Sequence, residues 1–383
     1  LAPKQKRITF PFKLVRNLVV VEAYVNNKGP YNFILDTGVG IFLITDPSLV
    51  DTLGITKSRS IEIQGLGSSE RMEAWITPQV SIDVHGAKCK ALPAAILKKD
   101  FFGLSAYAGL PIHGLLGYEF FASFGVKLDF AENQVTAIRY DKLKPLRNAD
   151  KIPMKIEERK PYIEAKADLA DGRNLPVKLI VDLGAGHPLM LENLVSGYIG
   201  MPNKFIIANL GVGLGGPING YLSRIDQLTL GRFRLKNVVT SFPAKDETKT
   251  EFIYRVKRDG NMGIGILRKF AVLFDYQHEL LYLRKSGRYP EPFEHDMSGI
   301  EFYSSGEKFD HIIISRVEPG SAGDDAGLVE GDEIISLNFK KVADMTVEEI
   351  DALFKSKDGR GILMEIGHGK ETDRVILTLK KRL

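Results

Sequence analysis

The sequence predicts a mainly β protein with two related lobes and a smaller C-terminal module. Three observations carry this prediction. Apolar stretches of strand length are bounded by glycine-bearing turns along most of the chain. A set of residues recurs at one offset of 146 positions, and the composition shifts to a charged, proline-bearing run at residues 284–298. Together these features favour duplicated β lobes followed by a linker and a separate unit.

The repeat sets the proposed domain boundaries. The recurring residues are strand-end aspartates and turn glycines, namely Asp36 on Asp182, Gly38 on Gly184 and Gly117 on Gly263. Such positions tolerate few alternatives, because glycine alone adopts many of the required backbone conformations. The sequence therefore predicts lobe 1 over 1–146, lobe 2 over 147–286, and a linker plus C-terminal module over 287–383.

Each lobe contains a predicted β-hairpin that ends at an aspartate. In the first lobe the strands are 18–25 and 31–35, and in the second they are 162–167 and 177–181. In the C-terminal module, strand-like runs surround one predicted helix at about 347–355. Thr346 and Glu349 form a capping-box pattern at its start.

Composition excludes several function classes. The 52 basic residues barely exceed the 48 acidic ones, giving a net charge of +4, so neither nucleic acid nor an anionic membrane is expected as a partner. The single cysteine, Cys89, cannot form an internal disulfide, and no histidine spacing typical of a metal site occurs. Glycines interrupt the apolar stretch 101–126, which argues against a transmembrane helix. We expect no metal or organic cofactor.

The two strand-end aspartates are the candidate catalytic residues. A carboxylate beside a buried strand is costly unless something compensates for it. If the lobes pack symmetrically, Asp36 and Asp182 meet. Because two close carboxylates cannot both ionise, the pair would hold one proton and supply one base and one acid. That combination can activate a water against a peptide carbonyl.

These residues carry a resemblance to the two-lobed aspartic proteases of the pepsin and retropepsin group. The first lobe contains the signature Phe33-Ile34-Leu35-Asp36-Thr37-Gly38 and the later element Leu115-Leu116-Gly117. The second lobe has Asp182-Leu183-Gly184 and Asn261-Met262-Gly263, and the spacing from Asp to the later Gly is 81 residues in both lobes. The resemblance implies two β-barrel lobes forming one bilobal unit, and an endopeptidase that acts on peptide or protein substrates.

The same resemblance implies hairpin flaps over a bound peptide. The candidate flap and substrate-binding residues are Gly65 and Gly67 in the first lobe, and Gly211 and Gly213 in the second. Glycine at these places permits close backbone approach to a substrate and movement of the hairpin. The alternative is an ordinary glycine turn.

One departure from the family pattern leaves the activity open. The family braces both Asp loops with a Thr or Ser after the aspartate, and here Thr37 can do so but Leu183 cannot. The supporting loop residues are therefore Thr37, Gly38, Leu183 and Gly184. The alternative to a protease is an inactive peptide-binding protein that keeps the cleft. His113 and His187 lie near the motifs, and we assign neither a catalytic role.

The C-terminal module resembles a bacterial-type PDZ domain through the runs 317–323 and 326–335. The resemblance implies that backbone amides near Ser298, Gly299 and Ile300 capture peptide or protein C-termini. The other predicted groove residues are Phe302, Ile350 and Phe354. A packing module without a free ligand is the alternative. By resemblance to exported proteases with PDZ units, we expect a monomer in the periplasm or outside the cell, with its signal sequence removed.

Overall fold

The computed structural model describes residues 1–2, 4–63, 72–192, 202, 204–213, 216–244, 256–369 and 371–383. With 51% strand and 11% helix, it confirms the predicted mainly β fold. The chain divides into two compact units. The first contains residues 1–102 and 113–293, and the second contains residues 103–112 and 294–383. The lobe boundaries at 146 and 286 stay a prediction.

The first part of the larger unit is built from hairpins and two short helices. Its strands are β1 (Arg7–Pro11), β2 (Lys13–Val15), β3 (Leu18–Val25), β4 (Lys28–Leu35), β5 (Phe42–Ile44), β6 (Arg59–Ile63), β7 (Met72–Val84), β8 (Ala87–Leu97), β9 (Gly114–Leu116), β10 (Gly125–Asp129) and β11 (Gln134–Ile138). Its helices are α1 (Leu49–Leu53) and α3 (Tyr118–Ser123), followed by a 3₁₀ turn at Tyr140–Lys142. The intervening α2 (Leu104–Ala108) belongs to the smaller unit.

One sheet of this lobe runs in the order β2-β3-β4-β9-β5-β8-β7-β6. The predicted hairpin is present as β3 and β4, which are antiparallel. β9 lies parallel to β4, with Leu116 opposite Leu35. Since both residues are fully buried, the end of β4 is fixed in the core immediately before Asp36.

The second lobe repeats this arrangement. Its elements are β12 (Asp150–Glu157), β13 (Lys160–Asp168), β14 (Asn174–Val181), β15 (Leu189–Leu191), β16 (Ile206–Gly213), β17 (Gly216–Leu230), β18 (Phe233–Pro243), β19 (Gly260–Met262), α4 (Ile264–Leu267), β20 (Phe270–Asp275) and β21 (Leu280–Lys285). β19 lies parallel to β14, with Met262 opposite Val181. β13 and β14 form the predicted second hairpin.

A shared sheet and a shared core join the two lobes. β10 of the first lobe pairs with β20 of the second, with Val126 opposite Phe274. The ring of Phe121 meets Phe274 edge-on at 5.3 Å between centroids. Burial of each such phenylalanine contributes about 2–3 kcal/mol relative to exposure. The lobes are therefore held in one register, which fixes the relative position of their Asp loops.

The smaller unit is a β module with its own core, and α2 belongs to it as well as the elements that follow residue 294. Its elements are β22 (Ile300–Ser305), β23 (His311–Val317), α5 (Ala322–Asp325), β24 (Glu333–Leu337), β25 (Lys340–Lys341), a 3₁₀ turn (Val342–Asp344), α6 (Val347–Phe354), β26 (Gly361–His368) and β27 (Glu371–Thr378). The sheet order is β22-β23-β24-β26-β27, with β25 beside β24.

The predicted capping box of α6 is present. The Glu349 backbone N–H donates to Thr346 Oγ1 at 3.2 Å, and the Thr346 N–H donates to Glu349 Oε2 at 2.8 Å. The helix ends at Phe354, one residue before the predicted end. It packs its apolar face into the module, where Ile350 and Phe354 are completely buried.

The apolar stretch 101–126 forms short elements. It contains α2, β9, α3 and the start of β10. Among the described residues, no helix combines the length and apolar character needed to cross a bilayer.

Candidate functional site

Asp36 and Asp182 follow directly on equivalent strands. The Asp36 N–H donates to the Leu116 carbonyl at 3.0 Å, and the Asp182 N–H donates to the Met262 carbonyl at 2.9 Å. Each aspartate therefore leaves a buried strand at the point where the parallel neighbour ends. This equivalence arises because both lobes fold the same strand-loop-strand pattern.

The two carboxyl groups lie close together across the lobes. The charge of Asp182 raises the pKa of Asp36. Each loop glycine faces the opposite aspartate. A Cβ at Gly38 would lie 2.8 Å from Asp182 Oδ1, and one at Gly184 would lie 2.6 Å from Asp36 Oδ1. Both glycines are thus required by the close approach of the loops, as expected for a pair that acts as one unit.

The hydrogen-bond donors differ between the two aspartates. Asp36 Oδ1 accepts from the Gly38 N–H at 2.7 Å. Asp182 Oδ1 accepts from the Gly184 N–H at 2.9 Å, and its Oδ2 also accepts from Asn261 Nδ2 at 3.2 Å. Donors stabilise the ionised form of a carboxyl group. The arrangement therefore favours the negative charge on Asp182 and the shared proton on Asp36.

A histidine holds Asn261 in this orientation. His187 Nε2 lies 2.7 Å from Asn261 Oδ1. Because the amide oxygen can only accept, Nε2 is the donor, and the amide nitrogen is left to donate to Asp182. Burial lowers the pKa of His187 despite the opposing effects of Asn261 and Asp182. The ring is therefore neutral at neutral pH and supports Asp182 through a directional chain of hydrogen bonds.

Burial dominates the electrostatics of Asp36, whose side chain is 9% exposed. Desolvation and then the charge of Asp182 raise the pKa of Asp36 to about 8, while the Gly38 amide and Lys160 act in the opposite direction. Two close carboxyl groups titrate as a unit. The pair consequently holds one proton at neutral pH.

A lysine stands near the pair. Lys160, at the start of β13, interacts electrostatically with both Asp36 and Asp182. Burial and the nearby Arg258 lower the pKa of Lys160, and the two aspartates and Glu192 raise it. Arg258 itself is paired with Glu192 at 2.7 Å, and both side chains are about nine-tenths buried. The second lobe thus places a buried ion pair beside Lys160, which in turn acts on both aspartates.

Thr37 braces the two Asp loops from one side. Its Oγ1 donates to the Val181 carbonyl at 2.6 Å and accepts from the Leu183 N–H at 2.9 Å. The hydroxyl therefore crosses from the first lobe to the second. Leu183 is fully buried and apolar. Because it has no hydroxyl, the second lobe cannot form the reciprocal bond to the first.

The predicted flap residues are only partly within the described chain. Gly65 and Gly67 lie outside the described residues. Gly211 and Gly213 lie on β16, which pairs with β17 through a register shift between Asn209 and Val212. Gly211 has a φ of +114° and open space around its Cα, a conformation that favours glycine. This segment forms a hairpin, and its contact with substrate stays a prediction.

Of the predicted groove residues, Gly299 precedes β22, Ile300 and Phe302 lie on β22, and Ile350 and Phe354 lie on α6. Phe302 meets Phe354 edge-on at 6.1 Å, and both belong to the core with Ile300 and Ile350. The backbone amides of the predicted carboxylate loop already have acceptors. The N–H groups of Ser298 and Gly299 donate to Asp296 Oδ1 at 3.0 and 2.7 Å, respectively.

Comparison with known families agrees with both resemblances. Residues 21–120 match the family model described as aspartyl protease, and residues 294–366 match the model described as PDZ domain. The chain carries an aspartyl protease domain and a C-terminal PDZ domain. A sequence search of curated proteins returned no match. The first match contains Asp36, Thr37 and Gly38, and the two matches support a protease with a peptide-binding module.

Two supporting residues were missed in the sequence. Asn261 stands where the first lobe has Leu115, so a polar residue in an apolar element was the available signal. His187 was given no role, yet it orients Asn261. His113 also has a structural partner, since its Nδ1 accepts from the Asn32 N–H at 3.1 Å. A sequence does not reveal such pairs, because they depend on how the loops meet.

Replacing Asn261 tests the support of Asp182. We expect Asn261→Leu, which copies Leu115, to lower kcat/KM about 10-fold, because the ionised carboxylate loses a donor. The acid side of the pH–rate profile should move to higher pH. His187→Phe should cause a smaller shift in the same direction. Steady-state peptide cleavage over pH measures both effects, and an unchanged profile in Asn261→Leu would contradict the assigned contact.

Proposed function

We propose that the protein is an aspartic endopeptidase of the pepsin and retropepsin type. The observation that carries this proposal is the close approach of Asp36 and Asp182 at equivalent strand ends, where the glycine of each Asp loop faces the opposite carboxyl group. Such a pair supplies a base and an acid at one point. The family match around Asp36 supports the same reaction class.

Asp182 acts as the base and Asp36 as the acid. The ionised Asp182 takes a proton from a water held between the carboxyl groups, and the water oxygen forms a bond to the peptide carbonyl carbon. Asp36 gives its proton to the carbonyl oxygen. When the tetrahedral intermediate collapses, the C–N bond breaks and Asp182 gives its proton to the leaving nitrogen. Asp36 takes a proton back from one hydroxyl of the intermediate, which becomes the new carboxyl group, and the pair again holds one proton. The donors on Asp182 and the burial of Asp36 support these roles.

The substrate is proposed to be an extended peptide. The β16–β17 hairpin offers backbone for strand pairing and has a glycine with positive φ near its tip. We further propose that the protein acts as a monomer in the periplasm or outside the cell. The resemblance to exported proteases with PDZ units is the support for this location.

A mixed peptide library tests the activity directly. The full chain is incubated with the library from about pH 3 to about pH 8, and the products are identified by mass spectrometry. Internal cleavage that stops in an Asp36→Asn variant supports the proposal. If no peptide is cut at any pH while extended peptides still bind, the inactive peptide-binding protein is the correct alternative.

The pH profile should fall on the alkaline side near the pKa of Asp36, about 8. Above this value Asp36 loses its proton, so the acid is missing and kcat/KM decreases about tenfold per pH unit. Lys160 favours ionised Asp36. Lys160→Met should therefore raise that pKa and move the alkaline limb to higher pH.

Lys166→Met is the matched control for this shift, because Lys166 is exposed on the same strand. Its alkaline limb should coincide with that of the wild type. A limb that moves to lower pH in Lys160→Met would contradict the assigned electrostatics.

A further inference from the structure

In the loop predicted to hold a terminal carboxylate, the backbone N–H groups already donate to side chains of the protein itself. The backbone amides that the PDZ resemblance predicts to hold a ligand carboxylate are those of Ser298, Gly299 and Ile300. The first two donate to Asp296 Oδ1, and the Ile300 N–H donates to Ser298 Oγ at 3.0 Å. Ser298 Oγ in turn donates to Asp296 Oδ1 at 2.8 Å.

Asp296 therefore takes the place of a ligand carboxylate. A peptide C-terminus would have to displace these bonds and place a second negative group beside the first. Two negative groups that compete for the same amides repel each other. The loop geometry consequently disfavours the ligand that usually occupies a PDZ groove.

A segment from earlier in the chain lies against the same groove. Residues 103–112 belong to the smaller unit, and α2 packs against β22. A Cβ at Gly109 would lie 3.0 Å from Ser304 Oγ and 2.7 Å from Val347 Cγ2, so this glycine sits between β22 and the start of α6. Ala108 and Ile112 are 2% and 4% exposed, respectively.

The segment has the form of an internal ligand. Ser105 Oγ accepts from the Ile112 N–H at 2.9 Å, which closes the segment into a compact loop. Because the chain continues on both sides, the segment brings no terminal carboxylate to the groove. The amides of the loop already donate to Asp296. An occupant that has no terminal carboxylate does not need them, so it is compatible with this loop.

We propose that the groove between β22 and α6 binds internal peptide segments and is filled in cis by residues 103–112. The PDZ module then acts as an intramolecular clamp, and a ligand in trans must displace this segment. The inference goes beyond peptide hydrolysis and does not depend on the aspartate pair. All tests use the full chain carrying Asp36→Asn, so that probes are not cut and no turnover is needed.

A disulfide can test the position of the segment. A Cβ at Gly109 would lie 3.8 Å from Ser304 Cβ, which is the mean separation across a disulfide. We expect Gly109→Cys with Ser304→Cys to form this bond under mild oxidation, with Val347→Ala added to make room for the new Cβ. The single Gly109→Cys variant, which retains only the natural Cys89 as a partner, should form none. Failure of the folded pair to cross-link would overturn the proposal.

Peptide binding tests the ligand class. The probe is a fluorescent peptide of residues 101–113 with both ends blocked, followed by anisotropy. Gly109→Ala strains the segment and adds a clashing Cβ, so the probe should bind at least about tenfold tighter than to the wild-type groove. Gly172→Ala is the control, because Gly172 has a similar positive φ of +85° with nothing within 4 Å. The Gly172→Ala protein should bind the probe as weakly as the wild-type groove. Equal affinity of Gly109→Ala and Gly172→Ala would overturn the proposal.

A second probe pair tests the loop. In the Gly109→Ala protein, a peptide ending at residue 112 should bind equally, within about twofold, as a free carboxylate or as an amide. Adding Asp296→Ala should create a preference for the carboxylate by freeing the amides. A strong carboxylate preference with Asp296 intact would contradict the proposal.

Discussion

Asp36→Asn and Asp182→Asn are each expected to reduce kcat/KM by about 10³-fold or more, because loss of either member removes the acid or the base. An asparagine keeps the shape of the side chain and can keep the bond from the loop glycine. The fold should therefore survive, and circular dichroism should show unchanged thermal unfolding. Initial rates with a peptide found in the library measure the loss.

Asp129→Asn is the matched control for these two variants. Asp129 is also a strand aspartate, but its side chain accepts from Lys127 Nζ at 3.2 Å on β10. We expect its cleavage rate to equal that of the wild type. If Asp36→Asn or Asp182→Asn kept the wild-type cleavage rate, the catalytic roles assigned to the two aspartates would be wrong.

Thr37→Val is expected to reduce both stability and activity. The change keeps the side-chain volume but leaves the Val181 carbonyl and the Leu183 N–H without their buried partner. Each unpaired buried group costs about 1–3 kcal/mol, so the free energy of unfolding should fall by about 3 kcal/mol. Activity should fall as well, since this hydroxyl fixes one Asp loop against the other.

Thr37→Ser separates the hydroxyl from the methyl group. It retains the donor and acceptor, so most of the stability and cleavage should remain. Chemical denaturation of the wild type, Thr37→Val and Thr37→Ser measures their free energies of unfolding. Equal unfolding free energies for Thr37→Val and the wild type would show that the one-sided brace is unimportant.

The aspartate pair was predictable because its signal is local and occurs twice. A strand, an aspartate and a glycine turn recur in both lobes, and symmetric packing leaves few places for the side chains. The glycines at 38 and 184 also follow from this rule, since a Cβ at either would approach the opposite carboxylate. The missing second hydroxyl at Leu183 could likewise be read directly.

The asymmetry of the pair was not predictable. Asn261 and His187 are 74 residues apart, and their contact depends on the loop that follows β14 and on β19. Asn261 belongs to the repeated element 261–263, but that motif does not show that His187 orients its side chain. The same holds for Asp296, which lies just before the predicted groove residues. The role of Asp296 depends on the folded loop, in which the backbone N–H groups of Ser298 and Gly299 donate to one of its carboxylate oxygens.

The segment 103–112 shows a further limit. Its glycines correctly indicated interrupted structure instead of a spanning helix. Periodicity carries no information about which distant surface a short segment contacts. Here that surface is β22 in the smaller unit, nearly 200 residues along the chain.

The proposed mechanism requires Asp36 and Asp182 to share one proton at neutral pH. Difference potentiometric titration of the wild type against Asp36→Asn measures this proton without any substrate. Between about pH 6 and about pH 10 most other groups cancel. The wild type should release one additional proton with a midpoint at the Asp36 pKa of about 8. Coincident titration curves over this range would contradict the claim.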